Sequence, residues 1–172
     1  MSFPLWFRRW RALRGVPVLA ADSPEGTIVQ ASGIARTTDA NDPFVPSLAA
    51  VPCVVAWTKL FTPAVPAGRN AATIVIERLL IRPFVLETDD MDLIVDTSHV
   101  KLLFPIRMEG RAHEISIAVG SAITVIGTVL RDGVDRPTDD LAFRDTQAAC
   151  KLVGNKRHPV VITASVSDTR AR

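Results

Sequence analysis

The chain has 172 residues, an apolar fraction of 48%, and 20 basic against 18 acidic residues, for a formal net charge of +2. This length fits one domain of ordinary size, and the composition indicates a buried core and excludes wholesale disorder. No apolar run approaches the roughly 20 residues of a membrane-spanning helix, so the sequence predicts a chain that is soluble or peripheral at a membrane.

The positive charge is concentrated at the N-terminus. Residues 1–14 contain four arginines and no acid, which leaves 16 basic and 18 acidic residues in the rest of the chain. If this segment is helical, one face collects the apolar side chains at helical spacing: Phe3, Trp6, Phe7, Trp10 and Leu13. Arginines project from the sides and back. Aromatic rings opposite arginines are typical of a helix that lies in a membrane interface.

We therefore predict that this segment contacts a membrane or a partner through Phe3, Trp6, Phe7, Arg8, Arg9, Trp10 and Arg11. The same pattern also fits a helix that docks its aromatic face on the folded domain. Four arginines without an acid further suit a targeting segment that is disordered or cleaved. A free helix of about 12 residues is marginal in water, so as a helix the segment needs some surface to pack on.

Residues 15–26 have the proline and glycine content of a linker, residues 27–165 form the predicted domain, and residues 166–172 form a tail. Strands are predicted at 27–35, 53–61, 72–81 and 159–164, with a candidate short helix at 146–152. Two strand pairs lie between them: 84–86 with 93–95 across an acidic turn, and 114–119 with 122–130 across Gly120. Gly33 indicates a bulge or a close backbone approach, and Gly127 a bend.

These elements amount to seven to nine strands and at most two short helices. The predicted fold is therefore mainly β: a small OB-like or SH3-like antiparallel barrel with long loops and a short N-terminal amphipathic helix. No internal repeat of the solenoid or propeller type is visible.

The order of several short motifs resembles the GIDE-type domain, also called BAM (beside a membrane), of the mitochondrial E3 ubiquitin ligase family and of bacterial relatives. The resemblance covers roughly residues 27–165. The motifs are, in chain order, Val51-Pro52-Cys53-Val54, Pro83-Phe84-Val85-Leu86 with Asp89-Asp90, Ile94-Val95-Asp96, Val119-Gly120 with Val125-Ile126-Gly127, and Pro159-Val160-Val161-Ile162. The resemblance implies a small barrel-like interaction module that works near a membrane.

The chain departs from that family in two respects. The glycine usual in the acidic turn is replaced by Asp90-Met91-Asp92, which requires a different turn. The RING and the membrane helices are absent: a RING requires a run of Cys and His zinc ligands, and this chain has two cysteines and three histidines. Ubiquitin ligase activity is therefore not expected.

No other motif predicts catalysis. Asp89, Asp90, Asp92 and Asp96 are oxygen donors suited to a hard cation, but they lack the glycine of a calcium loop and are also ordinary turn formers. Three histidines lie in separate segments, at His99, His113 and His158. Cys53 and Cys150 match no CxxC pattern and are predicted to be buried thiols in a reducing compartment. We expect no metal, no cofactor, no small-molecule substrate and no enzyme activity.

The predicted function is a non-catalytic binding or scaffolding module at a membrane surface, with a membrane or membrane protein as partner and a cytoplasmic, peripheral location. Two alternatives remain. An OB-like barrel can bind single-stranded nucleic acid where cations meet exposed aromatics, and the candidate cations are Lys151, Lys156, Arg157 and His158. The body's aromatic residues, Trp57 and Phe61 among them, are mostly expected in the core, which disfavours this function. A metal-dependent hydrolytic enzyme is the other alternative.

Overall fold

A computed structural model describes residues 5–38, 48, 51–63, 73–131 and 150–164 of the chain. Within these ranges it contains one helix and eleven strands. They are α1 (Leu5–Leu13), β1 (Ile28–Thr37), β2 (Cys53–Pro63), β3 (Thr73–Ile81), β4 (Phe84–Glu87), β5 (Asp92–Val95), β6 (Val100–Leu103), β7 (Arg107–Glu109), β8 (Ala112–Ala118), β9 (Ala122–Arg131), β10 (Cys150–Val153) and β11 (Val160–Ala164). The prediction of a mainly β fold is confirmed.

Five strands close into a barrel. β1 pairs antiparallel with β4, β4 with β5, and β9 with both β10 and β1, while β5 and β10 pair in parallel. Each strand therefore has a neighbour on both sides, and the predicted barrel is confirmed. The expectation of a wholly antiparallel barrel was wrong, because β5 and β10 run parallel. Alternate side chains point inwards and fill its core with apolar groups. The fully buried ones include Val29, Phe84, Leu86, Leu93, Val95, Val125 and Leu152.

Two further strands prolong the barrel. β10 pairs with the C-terminal half of β9, and β11 pairs along the same edge with its N-terminal half. β6 lies parallel to β11 just as β5 lies parallel to β10. β5 with β6, and β10 with β11, thus act as two long strands that are each interrupted once. The two interruptions lie side by side. At this point Val160 N donates a hydrogen bond to His99 O at 2.8 Å.

The other four strands form a separate sheet in the order β3-β2-β8-β7. It is built from two hairpins. The β2–β3 hairpin is inserted between barrel strands β1 and β4, and the β7–β8 hairpin between β6 and β9. Val55 and Ile117 belong to the same buried cluster as the barrel side chains, so the base of this sheet packs on the barrel.

Several local predictions were wrong. The segments 114–119 and 122–130 do not pair with each other: β8 belongs to the four-stranded sheet and β9 to the barrel. Gly120, with a φ of 87°, makes a tight turn that passes the chain between the sheets. The candidate helix at 146–152 is strand β10 from Cys150 onwards, and its first residues lie outside the described ranges. β6 and β7 were not predicted.

Gly33 confirms the expected close backbone approach. It lies where β1 leaves β9 and begins to pair with β4. A Cβ at this position would come within 2.2 Å of the backbone oxygen of Glu87. Gly127 lies where the neighbour of β9 changes from β11 to β10, and a Cβ there would be 3.0 Å from Leu152 Cβ. Both glycines allow a strand to change partners.

The segment before β1 lies along the barrel. Gln30 N donates to Pro17 O at 2.9 Å, and Leu19 N donates to Gln30 O at 2.8 Å. Arg131 Nη2 donates to Ala21 O at 2.6 Å. These bonds fix residues predicted as a linker against β1 and against Arg131 at the end of β9.

Candidate interaction surfaces

The N-terminal residues proposed for membrane contact are only partly described. Phe3 lies outside the described residues, as do the side chains of Trp6, Arg9 and Trp10. Arg8 and Arg11 are exposed, and Phe7 is half-buried. The helix that carries them, α1, lies beside β6. The two arginines are therefore free of the barrel core, as an anion-binding contact requires.

The acidic turn between β4 and β5 is closed by Thr88. Its hydroxyl donates to Met91 O at 2.6 Å and accepts from Met91 N at 3.1 Å. Asp89 and Asp90 are exposed at the tip of the turn, beside a cleft of about 300 Å³. The cleft is lined by side chains of the pre-β1 segment and of the barrel surface, including Leu13, Val18, Leu19, Gln30, Ser32 and Thr124.

The four aspartates considered as cation ligands do not converge. Asp92 begins β5 and Asp96 follows its end, so the strand separates them. Across the part of the chain that the structure describes, no three His, Cys, Asp or Glu residues group as a metal site would. Asp96 Oδ1 instead accepts from Ser98 N at 2.8 Å and from the Ser98 hydroxyl. These bonds hold the pKa of Asp96 below its ordinary value, because they stabilise the ionised carboxylate.

The cations considered for nucleic acid lie at the interruption between β10 and β11. Asn155 Oδ1 accepts from Arg157 N and from His158 N, both at 2.9 Å, and fixes the loop. Lys156, Arg157 and His158 are exposed, whereas Lys151 lies on β10. The histidines are not brought together, since His113 lies on β8 in the four-stranded sheet.

Both cysteines are buried free thiols. Burial, followed by the negative charge of Glu114, raises the pKa of Cys53 from 9.0 to about 11. Burial also raises the pKa of Cys150. A thiol held in its protonated form is a poor nucleophile, so neither residue has the environment of a reactive cysteine.

Sequence reasoning missed an aromatic and basic face of the four-stranded sheet. Trp57, Lys59 and Phe61 alternate along β2, which places them on one side of the sheet. They are half-buried, so Trp57 and Phe61 do not lie in the core, where most of the body's aromatic residues were expected. The Lys59 ammonium lies 5.6 Å from the Phe61 ring centre, and the Phe61 ring meets His113 edge-on at 4.8 Å.

Glu77 on β3 completes this face. Its carboxylate accepts from Trp57 Nε1 at 2.8 Å and lies 3.9 Å from Lys59 Nζ. The signal for this face was present in the sequence as the alternation Trp-x-Lys-x-Phe, which places the three side chains on one face of a strand. It was overlooked because the surrounding residues are apolar.

The opposite face of the sheet holds a buried carboxyl group. Glu114 is fully buried on β8, and its Oε2 accepts from Leu48 N at 3.2 Å. Its Oε1 has no hydrogen-bond partner among the described residues. Leu48 thus fixes part of the β1–β2 connection over this face.

Exposed apolar side chains are concentrated on the four-stranded sheet. Ten large apolar residues of the described chain are exposed, and six of them lie on this sheet or beside it. The six are Leu60, Val75, Ile76, Leu79, Ile106 and Met108. Such a concentration is a feature of surfaces that bind a partner or a membrane.

None of the described helices has the length and apolar content needed to cross a bilayer. Comparison with known proteins gave no match to a family model, to a curated protein or to a solved structure.

Proposed function

We propose that the protein is a non-catalytic binding or scaffolding module that acts at or near a membrane surface. The observation that carries this proposal is the four-stranded sheet, whose outer strands expose apolar side chains that do not join the buried cluster of the barrel. Apolar residues kept exposed beside cations are suited to binding.

The membrane contact in this proposal is α1 and the residues before it. Arg8 and Arg11 are exposed beside β6, where they can reach anionic headgroups. Phe3, Trp6, Phe7, Arg9 and Trp10 complete the proposed contact as interfacial aromatics and a further cation. An amphipathic helix on a closed barrel would hold the four-stranded sheet near the bilayer.

Vesicle co-sedimentation tests this contact. We expect the intact chain to bind vesicles rich in anionic lipid, and a chain that starts at Gly15 to lose binding. The double variant Arg8→Glu/Arg11→Glu should bind at least about 30-fold more weakly, since each lost arginine contributes about 1 kcal/mol and each new glutamate is repelled by anionic lipid. The matched control is Lys156→Glu/Arg157→Glu, which reverses two exposed charges on a barrel loop. Equal binding by the intact and shortened chains would rule out the contact.

We further propose that the barrel is of the OB type. Numbered in chain order, its strands β1, β4, β5, β9 and β10 lie in the circular order 1-2-3-5-4. The fourth strand returns beside the first, which is a Greek-key connection, and OB barrels are five-stranded Greek-key barrels. The parallel pair of the third and fifth strands favours an OB-like over an SH3-like barrel.

The GIDE-type resemblance remains part of the proposal. It is supported by the position of its motifs at strand boundaries: Pro52 precedes β2, Pro83 precedes β4, and Pro159 precedes β11. The Val119-Gly120 motif forms the turn before β9. A family of membrane-adjacent interaction domains is consistent with the binding role.

Single-stranded nucleic acid is the second candidate ligand. It is favoured by the OB-type strand order together with the face formed by Trp57, Lys59, Phe61 and His113, because aromatic rings interleaved with cations stack bases. Retention of a labelled oligonucleotide should then fall steeply with salt and be lost in Trp57→Ala/Phe61→Ala. Absence of any retention at low salt would exclude this candidate.

A further inference from the structure

Strand β3 forms one edge of the four-stranded sheet. In the part of the chain described by the structure, its single neighbouring strand is β2. All nine residues pair with β2 in continuous register, from Pro63↔Thr73 to Val55↔Ile81. The opposite side of β3 therefore offers a backbone edge of the same length. A long edge of this kind is a template for pairing with a further strand.

Apart from two charged residues, the strand lacks the features that usually block such pairing. Protected edges are short or carry proline, lysine or a bulge, whereas β3 has the sequence TIVIERLLI and no register shift against β2. Its acidic residue, Glu77, is already compensated by Trp57 Nε1 and Lys59 Nζ within its own sheet. Arg78 is the second charged residue of the strand, so an added strand must be placed where no like charge faces it.

Apolar side chains are exposed on both faces of β3, which favours an added strand over a membrane or a partner that packs on one face of the sheet. Val75 and Leu79 lie on one face and Ile76 on the other, and they are 48%, 46% and 52% exposed. A membrane or a partner that packs on the sheet covers one face only. A strand added alongside covers the edge side chains of both faces at once.

We propose that two copies of this chain pair through β3, antiparallel about a two-fold axis at Ile76, to form an eight-stranded sheet. In such a pair, two residues that lie directly opposite each other point to the same face of the sheet. The residue midway between them then lies opposite its own copy, so the two-fold axis passes through that residue. An axis at Glu77 or at Arg78 sets like charges opposite each other. An axis at Ile76 sets Glu77 opposite Val75 of the partner subunit and Arg78 opposite Ile74 of the partner subunit.

This register gives the longest overlap of β3 that avoids directly opposed like charges. The contact uses the β3 edge of each copy and is closed, so assembly stops at the dimer. A contact made of two strand edges lies at the small end of protein interfaces, below about 1,200 Å² in total. The dimer is therefore weak and depends on concentration. It does not depend on membrane binding.

Sedimentation velocity of the full chain, from micromolar to sub-millimolar concentration, tests the proposal. We expect a reversible monomer–dimer equilibrium. Ile76→Lys should abolish the dimer, because an edge lysine opposes strand addition. The matched control is Met108→Lys, which places the same charge at an exposed apolar position on β7, the other edge of the sheet. Circular dichroism verifies that both variants are folded.

The control should dimerise like the parent chain. A chain that is monomeric throughout would overturn the proposal, as would an equal loss of dimer in both variants, which would assign the contact to the sheet face. A monomer whose vesicle binding is lost in Ile76→Lys would assign β3 to the membrane instead.

Cross-linking tests the register. Directly opposed Cα atoms in an antiparallel pair lie about 4.5–5.5 Å apart, which suits a disulfide. Ile76→Cys should therefore give a covalent dimer on oxidation, whereas Leu79→Cys, opposite Thr73 of the partner subunit, should not. Both native cysteines are buried and do not interfere. Linkage of the Leu79→Cys variant alone would contradict an axis at Ile76.

Discussion

The barrel and the four-stranded sheet differ in how completely their strands are paired and their apolar side chains are buried. Each of the five barrel strands has two neighbours, and its inward apolar side chains are almost fully buried. The sheet has two edges, and its outer strands expose apolar residues on both faces. In the described part of the chain the barrel therefore pairs and buries its own strands, whereas the sheet leaves edge strands and apolar side chains exposed.

The connection between these regions supports the same division. Only the base of the sheet, near Val55 and Ile117, joins the buried cluster. Towards the hairpin ends, β2 and β3 become exposed at Leu60 and Ile76. Changes in the outer part of the sheet should therefore alter binding without unfolding the barrel, whereas changes in the barrel should unfold the whole chain.

The largest expected effect comes from the barrel core. Phe84 is 1% exposed, and Phe84→Ala should lower the free energy of unfolding by about 3–5 kcal/mol, because it leaves a cavity. Leu79→Ala, on the exposed edge of the sheet, should change it by about 0.5 kcal/mol or less. Urea unfolding followed by circular dichroism measures both values. Similar losses of unfolding free energy in the two variants would show that the sheet edge stabilises the fold as much as the barrel core does.

The next largest effect is expected from substitution of the glycines at which barrel strands change their neighbouring strand. Gly33→Ala should cost about 1–3 kcal/mol, since its Cβ meets the Glu87 backbone, which has no flexible end to move aside. Gly127→Ala is the matched control and should cost less, because its nearest neighbour is the Leu152 side chain at 3.0 Å. Thermal or urea unfolding ranks the pair. A Gly33→Ala chain as stable as the parent would show that β1 can shift against β4.

A smaller effect, confined to alkaline pH, involves the base of the sheet. The folded chain keeps the Cys53 thiol protonated to about pH 11, whereas the unfolded chain ionises it near 9.0. The stability from this thiol is therefore fully present below pH 9 and is lost as pH rises towards 11. Cys53→Ala should flatten this part of the stability profile measured by urea unfolding. An unchanged slope would show that Cys53 becomes accessible without unfolding of the barrel.

The smallest effect lies at the interruption between β5 and β6. Ser98→Ala removes one bond to Asp96 and should cost about 0.5–1 kcal/mol at neutral pH, at the low end because the site is partly exposed. The pKa of Asp96 is lowered in the folded chain, so its stabilising effect is present above its ordinary value and disappears at acid pH. NMR titration of Asp96 should show a higher pKa in the variant. An unchanged value would show that the backbone bond from Ser98 is sufficient.

Local patterns predicted most of the strands but only one of the two strand pairs, the hairpin of β4 and β5. The segment 114–119 was predicted as a strand and is one, and the acidic turn after Phe84–Leu86 indicated a hairpin, which the structure contains. Gly120 marked a real turn. Whether a turn joins two paired strands or passes the chain to another sheet depends on contacts with β1 and β2, which are distant in sequence.

The candidate surfaces were less predictable, because they too depend on which strands pair across long sequence separations. An apolar strand such as Thr73–Ile81 has the composition of a core strand, and only the topology shows that it lies at an edge. Trp57 and Phe61 are partly exposed because β2 projects beyond the barrel, which composition does not indicate. The basic character of Arg8 and Arg11, in contrast, was evident from charge alone.

The closure of the barrel has a consequence for how the chain folds. Ser32 and Thr124, whose hydroxyls lie 2.8 Å apart across β1 and β9, are separated by 92 residues in sequence. Contacts of such high sequence separation form late and slow the folding of small domains. Until β9 pairs with β1, the barrel is open, and both its apolar strands and the β3 edge are exposed to other chains. Refolding yield should then be limited by aggregation and fall with protein concentration.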